Sequence, residues 1–508
     1  MSKIKLAIVV CVLAAMVMPS FAGDDGKAKP WFKLSGFYAM NGYSQNNFFF
    51  GKSADAPFVG GVSDKDEYAI QMVRLTAQFG VGENIKMVVR GDVAQSIWGI
   101  DNFRRNPSEG GFSSLFGRKD TNFVTHIDWA YVDFTHPDWG WNFKIGRMKN
   151  KLGNMLVLDQ DNDGVIATKL LDDGRFSFGW AKMSEGADSL SDESAIGPMG
   201  FSTEDATLYT LDYVHKGKNW TVNPFLAYYV DGGKASRRSY IPNGLQYFRA
   251  RFTPQVSKAY ALGFAFNGKV GKWELKGEAD FLGGDDDIAN SSSDLKQIID
   301  VNDGDLSGYN FYFDAKVPAG PGKFGMLFGM GSGDDDPLRG DGNINRIRTN
   351  GFFYVTEVWE DSVMPDEEGI TPQGLGSPAS RGYREFENTT LVQANYTWKI
   401  NPQLTYFVSG TWMQATEPIF AWAEAGGSYG LEAGDLDAVS TSDDLGWEVD
   451  MRLHWKVYPG LLWIFRTGYF SPGDGALYLV NGTDKWDEAA YELRTTIKYS
   501  FGGVKVGG

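Results

Sequence analysis

A period of two governs this sequence. Between Trp447 and Val457, the residues Trp447, Val449, Met451, Leu453, Trp455 and Val457 fall on one side of an extended chain. Glu448, Asp450, Arg452, His454 and Lys456 fall on the other. Side chains alternate across a strand, so one face is written for an apolar surrounding and the other for water. Tyr491 to Phe501 repeats the pattern, as does Trp273 to Phe281. Each segment is about ten residues long, the length a tilted strand needs to cross a bilayer. The same reading finds about 18 strands. They begin near Phe32, Tyr68, Ile85, Thr125, Trp141, Gly164, Phe176, Leu208, Trp220, Tyr260, Trp273, Gly308, Phe324, Thr390, Leu404, Trp447, Leu461 and Ala490.

The connections keep a second rhythm. Short joints are Val81-Gly82-Glu83-Asn84, His136-Pro137-Asp138, Asp172-Asp173-Gly174, Lys216-Gly217-Lys218, Gly271-Lys272, Pro318-Ala319-Gly320-Pro321, Asn401-Pro402 and Pro459-Gly460. Between them lie long ones: 43–67, 95–120, 149–163, 184–206, 230–259, 282–306, 331–388, 414–445 and 471–488. Short periplasmic turns alternating with long external loops are the mark of an outer-membrane barrel. In hydrocarbon an unpaired backbone N–H or C=O costs several kcal/mol, so such a sheet must close on itself. The expected fold is all-β: a closed antiparallel transmembrane barrel of about 18 strands with both termini in the periplasm. Trp139, Trp141, Trp220, Trp273, Trp398, Tyr458 and Trp463 sit at the short-turn ends, and Trp98, Trp180 and Trp412 toward the loop ends. Two aromatic girdles at the lipid interfaces are expected.

The first residues set the compartment. Lys3 and Lys5 precede an apolar run from Leu6 to Met18, then Pro19 and the small residues Ser20 and Ala22. This reads as a signal peptide over 1–22, with a single barrel domain over 23–508. The one cysteine, Cys11, lies in that leader, so no disulfide or thiol chemistry is expected in the mature chain. Mean hydropathy is −0.29 and aromatic content 15%. Alternating faces average hydropathy away, so this value does not exclude a barrel. The net charge of −16 excludes nucleic acid as a partner, since binding it needs a basic stripe.

Strand number decides what the barrel encloses. Eight strands fill with side chains, whereas 16 to 18 leave an aqueous channel. Only Gly23 to Pro30 precedes the first strand, too little for a plug domain. Narrowing is therefore expected from inward-folded loops or from lumen side chains. The wet faces offer Arg74, Lys86, Arg90, Lys276, Arg452, Lys456, Arg466, Arg494 and Lys498 on the positive side. They offer Asp92, Glu274, Glu278, Asp280, Asp314, Glu448, Asp450 and Glu492 on the negative side. Rings of such charges set selectivity in pores, and opposite charges also pair across neighbouring strands. The external loops carry the acidic runs Asp285-Asp286-Asp287, Asp334-Asp335-Asp336, Asp366-Glu367-Glu368 and Asp443-Asp444, which would draw cations to the mouth.

Asp159, Asp161, Asp163 and Gly164 match the first half of a calcium loop. Position twelve is Leu170, where a bidentate Glu belongs, so the expectation is weak or no calcium binding at a polar external loop tip and no other cofactor. Of the four histidines, His126, His136, His215 and His454, none sits in a nucleophile motif, and no metalloprotease, phosphate-loop or serine-elbow pattern appears. An enzyme is not expected.

Trp129-Ala130-Tyr131-Val132-Asp133-Phe134, Phe143-Lys144-Ile145-Gly146-Arg147 and Gly331-Ser332-Gly333-Asp334-Asp335-Asp336-Pro337 resemble segments of porin-type outer-membrane channels, most of all the 18-stranded alginate-export-like family. The resemblance implies diffusion of a solute through a narrowed lumen and carries over Arg147 alone as a pore residue. The mixed lumen charge departs from the basic constriction that polyanion export implies. The expected partners are outer-membrane lipid and small polar solutes or ions. Polysaccharide transport is the second reading, and a plugged barrel serving as adhesin or scaffold the third. A lipid face and a protein interface use the same residue types, so monomer and homotrimer both stay open.

Overall fold

The computed structural model describes residues 29–48, 50–51, 65–98, 126–184, 206–231, 256–287, 304–333, 335, 345, 353–360, 386–421, 439–503 and 505–507. The signal-peptide segment and most of the external loops, with Asp366-Glu367-Glu368, lie outside the described residues.

The first six strands are β1 (Pro30–Asn46), β2 (Lys65–Val81), β3 (Ile85–Ile97), β4 (His126–His136), β5 (Trp141–Lys151) and β6 (Asp159–Leu171). The next six are β7 (Gly174–Ser184), β8 (Ala206–Lys216), β9 (Trp220–Asp231), β10 (Val256–Val270), β11 (Trp273–Asp287) and β12 (Gly304–Ala319). Then come β13 (Gly322–Gly331), β14 (Thr390–Lys399), β15 (Leu404–Phe420), β16 (Thr441–Tyr458), β17 (Leu461–Pro472) and β18 (Ala490–Phe501). A short helix, α1 (Asp474–Asn481), precedes β18, and β19 (Lys505–Gly507) continues the sheet after it. From β1 to β18 each strand pairs antiparallel with the next. β18 then closes on β1, with Tyr43 opposite Arg494 and Asn46 opposite Tyr491. All 18 expected crossings are present, and the sheet has no open edge.

The turns follow from backbone chemistry. Gly271 (φ 59°) and Gly460 (φ 82°) occupy the left-handed region that a tight hairpin needs and that side chains resist. The outward residues of the strands are apolar and exposed. Tyr260, Leu262 and Phe264 on β10, and Trp447, Met451 and Trp455 on β16, are examples. Trp139, Trp220, Trp273 and Tyr458 at the turn ends and Trp98, Trp180 and Trp412 at the loop ends are exposed too. An apolar band between two rings of Trp and Tyr suits a bilayer and its interfaces.

The expected loops are shorter than their sequence spans. β6 starts at Asp159 and β16 at Thr441, each several residues ahead of the periodic signal. Asp285-Asp286-Asp287 thus ends β11 and Asp443-Asp444 lies on β16, so neither is a free acidic loop. Charged and polar residues can continue a ladder above the apolar band, where water meets both faces.

The interior also departs from expectation. A wet lumen throughout was implied, yet its external half holds an apolar core. Leu327, Leu391, Met413 and Phe470 from the wall pack with Val355, Val358 and Trp359 and with Leu477, Tyr478, Leu479 and Val480 of α1. A second cluster sets Leu152, Val157 and Leu158 against Leu208, Phe225, Ala227, Ala261 and Leu282. These inward apolar side chains are the seats for chain that folds into the barrel.

Candidate functional site

Three inward segments shape the lumen: 152–158 after β5, 353–360 from the long 331–388 connection, and α1. The second is a turn closed by its own side chains. Glu360 Oε2 accepts the Val355 and Thr356 backbone N–H groups at 2.6 and 3.1 Å. The Glu360 N–H donates to Thr356 Oγ1 at 3.1 Å. Trp359 stacks on Phe470 at 5.1 Å, which seats the turn in the apolar core.

The far side of the turn meets the wall formed by β16, β17 and β18. The backbone N–H groups of Glu357, Val358 and Trp359 all donate to the Glu448 carboxylate, at 2.8, 2.6 and 2.9 Å. Successive N–H groups of a turn form an anion-binding concavity, and Glu448 fills it. Asp450 accepts from the Glu357 N–H at 3.4 Å and from Ser409 Oγ at 3.4 Å. The Glu357 side chain, 1% exposed, reaches three arginines. Arg452 Nε donates to Oε1; Arg494 Nη2 lies 2.6 Å and Arg466 Nη1 3.6 Å from Oε2. Glu492, held by Gln45 Nε2 at 2.5 Å, lies beside Arg494. Arg452 also rests over Phe407 and Arg494 over Tyr43. Charges removed from water need such partners on every side. The site is thus an arginine triad whose carboxylate ligand comes from the chain itself.

A second wall, β11 and β12, faces segment 152–158. The Asn154 backbone N–H donates to Glu278 Oε2, and Asn154 Nδ2 donates to the Gly277 carbonyl at 3.0 Å. Glu278 and Asp280 are 3% and 5% exposed. Lys276 Nζ lies 5.7 Å from the rings of both Tyr312 and Phe353. Asp314 pairs with Lys316 at 2.7 Å. Glu274, at the turn end, pairs with Lys269 and Lys323.

On β2 to β6 the charges neutralise one another. Arg74 holds Asp92 with two bonds of 2.7 and 2.8 Å and reaches Asp128 at 3.0 Å. Arg90 bonds Asp128 at 2.8 Å and Asp161 at 3.2 Å, with its guanidinium 3.4 Å from the Trp129 ring centroid. Lys86 pairs with Asp133 at 3.2 Å. A bulge between β3 and β4 lets Asp128 join Trp129 beside Arg90, against strict alternation. Asp92, His126 and Asp128 bring three ligand atoms within 4.8 Å of one another, but both oxygens of Asp92 are held by Arg74. Lys498 lies 4.1 Å over Phe37, and Lys456 is exposed at the turn end of β16.

The Asp159, Asp161 and Asp163 motif lies on β6 and not in an external loop. The three lie at alternate positions of β6, on one face of the strand, and not in the curled loop that the spacing suggested. Each has a cation partner: Lys149 at 2.8 Å, Arg90 at 3.2 Å and Arg147 at 3.4 Å. Arg147 accordingly meets Asp163, with both side chains substantially exposed.

Sequence reasoning named the wall charges and missed Glu357, the residue that joins three of them. A signal was present. Phe352-Phe353-Tyr354-Val355 and Val358-Trp359 are apolar runs inside a connection that should be polar. Asp128 and Asn154 were missed as well, the first because a bulge shifts parity and the second because it lies in a loop.

No family model and no curated protein matches the chain. Among solved structures it is similar to OccAB3 of Acinetobacter baumannii at 10% identity and a TM-score of 0.49, over 94% of this chain and 99% of that one. It is also similar to the outer membrane protein OprD of Pseudomonas aeruginosa at 12% and 0.48, over 95% and 97%. A third is OccK2 of Pseudomonas aeruginosa, solved with glucuronate, at 12% and 0.46, over 93% and 98%.

Proposed function

We propose that this chain is an outer-membrane channel through which small polar solutes or ions diffuse. One observation carries the reading. The barrel has 18 crossing strands, more than side chains alone can fill, and its inner wall presents charged side chains at the level where the inward turn docks. Such a wall suits passage, because a pore must bind what it admits weakly enough to release it. Selectivity is assigned to the partly exposed Arg452 and Arg466 beside the docked turn, while the buried Glu357, Glu448, Asp450 and Arg494 latch that turn to the wall. The narrowing elements are 152–158, 353–360 and α1. The purified, refolded barrel in a planar bilayer tests this. Discrete ohmic steps, with a reversal potential in a salt gradient, are expected. A folded barrel with no conductance would refute an open channel.

One feature favours a second reading, transport of an anionic polysaccharide as in the alginate-export-like channels. Arg452, Arg466, Arg494 and Lys498 cluster on three adjacent strands. Glu357 already neutralises part of that cluster, so the small-solute reading comes first. A uronate polymer that blocks the open channel at micromolar concentration, where its monomer does not, would reverse the order.

A further inference from the structure

We propose that Glu278 and Asp280, with the Tyr312 hydroxyl, hold a hard divalent cation of the calcium type beneath segment 152–158. Two acid pairs in the barrel share one spacing. Glu448 and Asp450 are fully buried on β16, and donors from the docked turn and Ser409 reach all four of their carboxylate oxygens. Glu278 and Asp280 are almost as buried on β11, yet among the described residues Glu278 Oε1 and both oxygens of Asp280 receive no N–H or hydroxyl. Among the described residues neither carboxylate forms an ion pair. Lys276 is the cation within electrostatic reach of Glu278, one charge against two carboxylates, and burying an anion that is not matched by a paired cation costs several kcal/mol.

Lys276 stands near Glu278, its ammonium 5.7 Å from the Tyr312 ring, yet it makes no ion pair with either carboxylate among the described residues, and a further oxygen lies beside them. Tyr312 pairs with Glu278 across the β11–β12 ladder and is 2% exposed; its hydroxyl, with the Asn154 side chain beside it, makes no full hydrogen bond among the described residues. That hydroxyl lies within electrostatic reach of Glu278 and Asp280. Glycine lets the carboxylates and the Phe225 ring pack closely: a Cβ on Gly263 would come 2.0 Å from the Phe225 ring and 2.2 Å from Asp280 Oδ1, and one on Gly153 would come 2.6 Å from both Glu278 Oε2 and the Phe225 ring. The donor set is all oxygen with a formal charge of about −2, which suits calcium, a cation that takes 6–8 oxygen ligands in loose geometry. No sulfur or imidazole is among these donors, which disfavours zinc or copper. Because Glu278 already accepts the Asn154 N–H, the cation would tie the inward segment to the wall.

The test is calcium titration of the full refolded chain after EDTA stripping, by calorimetry, for the wild type, Asp280→Asn and Glu278→Gln. Heat-modifiable migration on a gel reports folding of each. The expected result is one site in the wild type that weakens at least tenfold in either variant, while the weaker signal of surface carboxylates stays the same in all three. Identical isotherms would overturn the proposal. So would an Asp280→Asn barrel stabilised equally in calcium and in EDTA, since a proton shared by the two carboxyls would then explain the pair. If neither variant folds, the wild type decides: calcium must raise its unfolding temperature over EDTA, and no shift would overturn the proposal.

Discussion

Two walls of one barrel carry the same local motif, two acids two residues apart, and give them different environments. On β16 the turn at 353–360 brings three backbone N–H groups to Glu448 and gives its own Glu357 to three arginines. On β11, segment 152–158 brings the Asn154 N–H to Glu278 and leaves Asp280 with no donor. Strand periodicity places both pairs in the lumen. What docks on them decides whether they are closed by protein or left for a ligand. The chemistry inside the barrel is therefore written in its loops as much as in its wall.

The strongest way to break this contrast is Glu357→Gln. Removing one partner from a buried ion network costs about 3–5 kcal/mol, enough to undock the turn. Single-channel conductance should rise, and selectivity should move toward anions as the arginines are uncovered. Trp359→Ala should follow, at about 3 kcal/mol from lost packing on Phe470. Trp359→Phe should be nearly silent, because the indole N–H has no partner to lose. Urea unfolding and conductance report both.

Next comes the direct comparison of acids. Glu448→Gln should cost about 1.5–3 kcal/mol of turn docking, because three N–H donors lose a charged acceptor. Glu278→Gln, measured in EDTA, should cost less or stabilise, because it removes like-charge repulsion with Asp280. Equal losses at the two sites would erase the distinction. The smallest effect belongs to Asp159→Ala. It breaks one partly exposed pair with Lys149, worth about 0.2–1 kcal/mol, and should leave calcium binding unchanged. Submicromolar calcium binding lost in Asp161→Ala would restore the loop motif that the sequence suggested.

The fold was legible because lipid and water impose a period of two that few other solvents would. Every crossing was placed, and Trp141, Trp220, Trp273, Thr390, Leu404, Leu461 and Ala490 each begin their strand as expected. Misplaced starts, at Asp159 and Thr441, occur where strands rise above the apolar band and polarity stops reporting on structure. The site was half legible. Arg452, Arg466 and Arg494 stand at periodic positions, so their side of the site could be read. Glu357, Asn154 and the donors of the turn could not be, because loop docking is set by tertiary packing and leaves no period. The apolar filling of the external half hid for the same reason: Leu391, Met413 and Phe470 look like lapses in alternation until the turn that covers them is seen.

The central claim is an open channel narrowed by a turn that Glu357 latches to the arginine triad. Single-channel recording of the wild type beside Glu357→Gln tests it most directly. Ohmic steps are expected in both, larger and more anion-selective in the variant. Silence from two correctly folded barrels, or steps of identical size and selectivity, would contradict it.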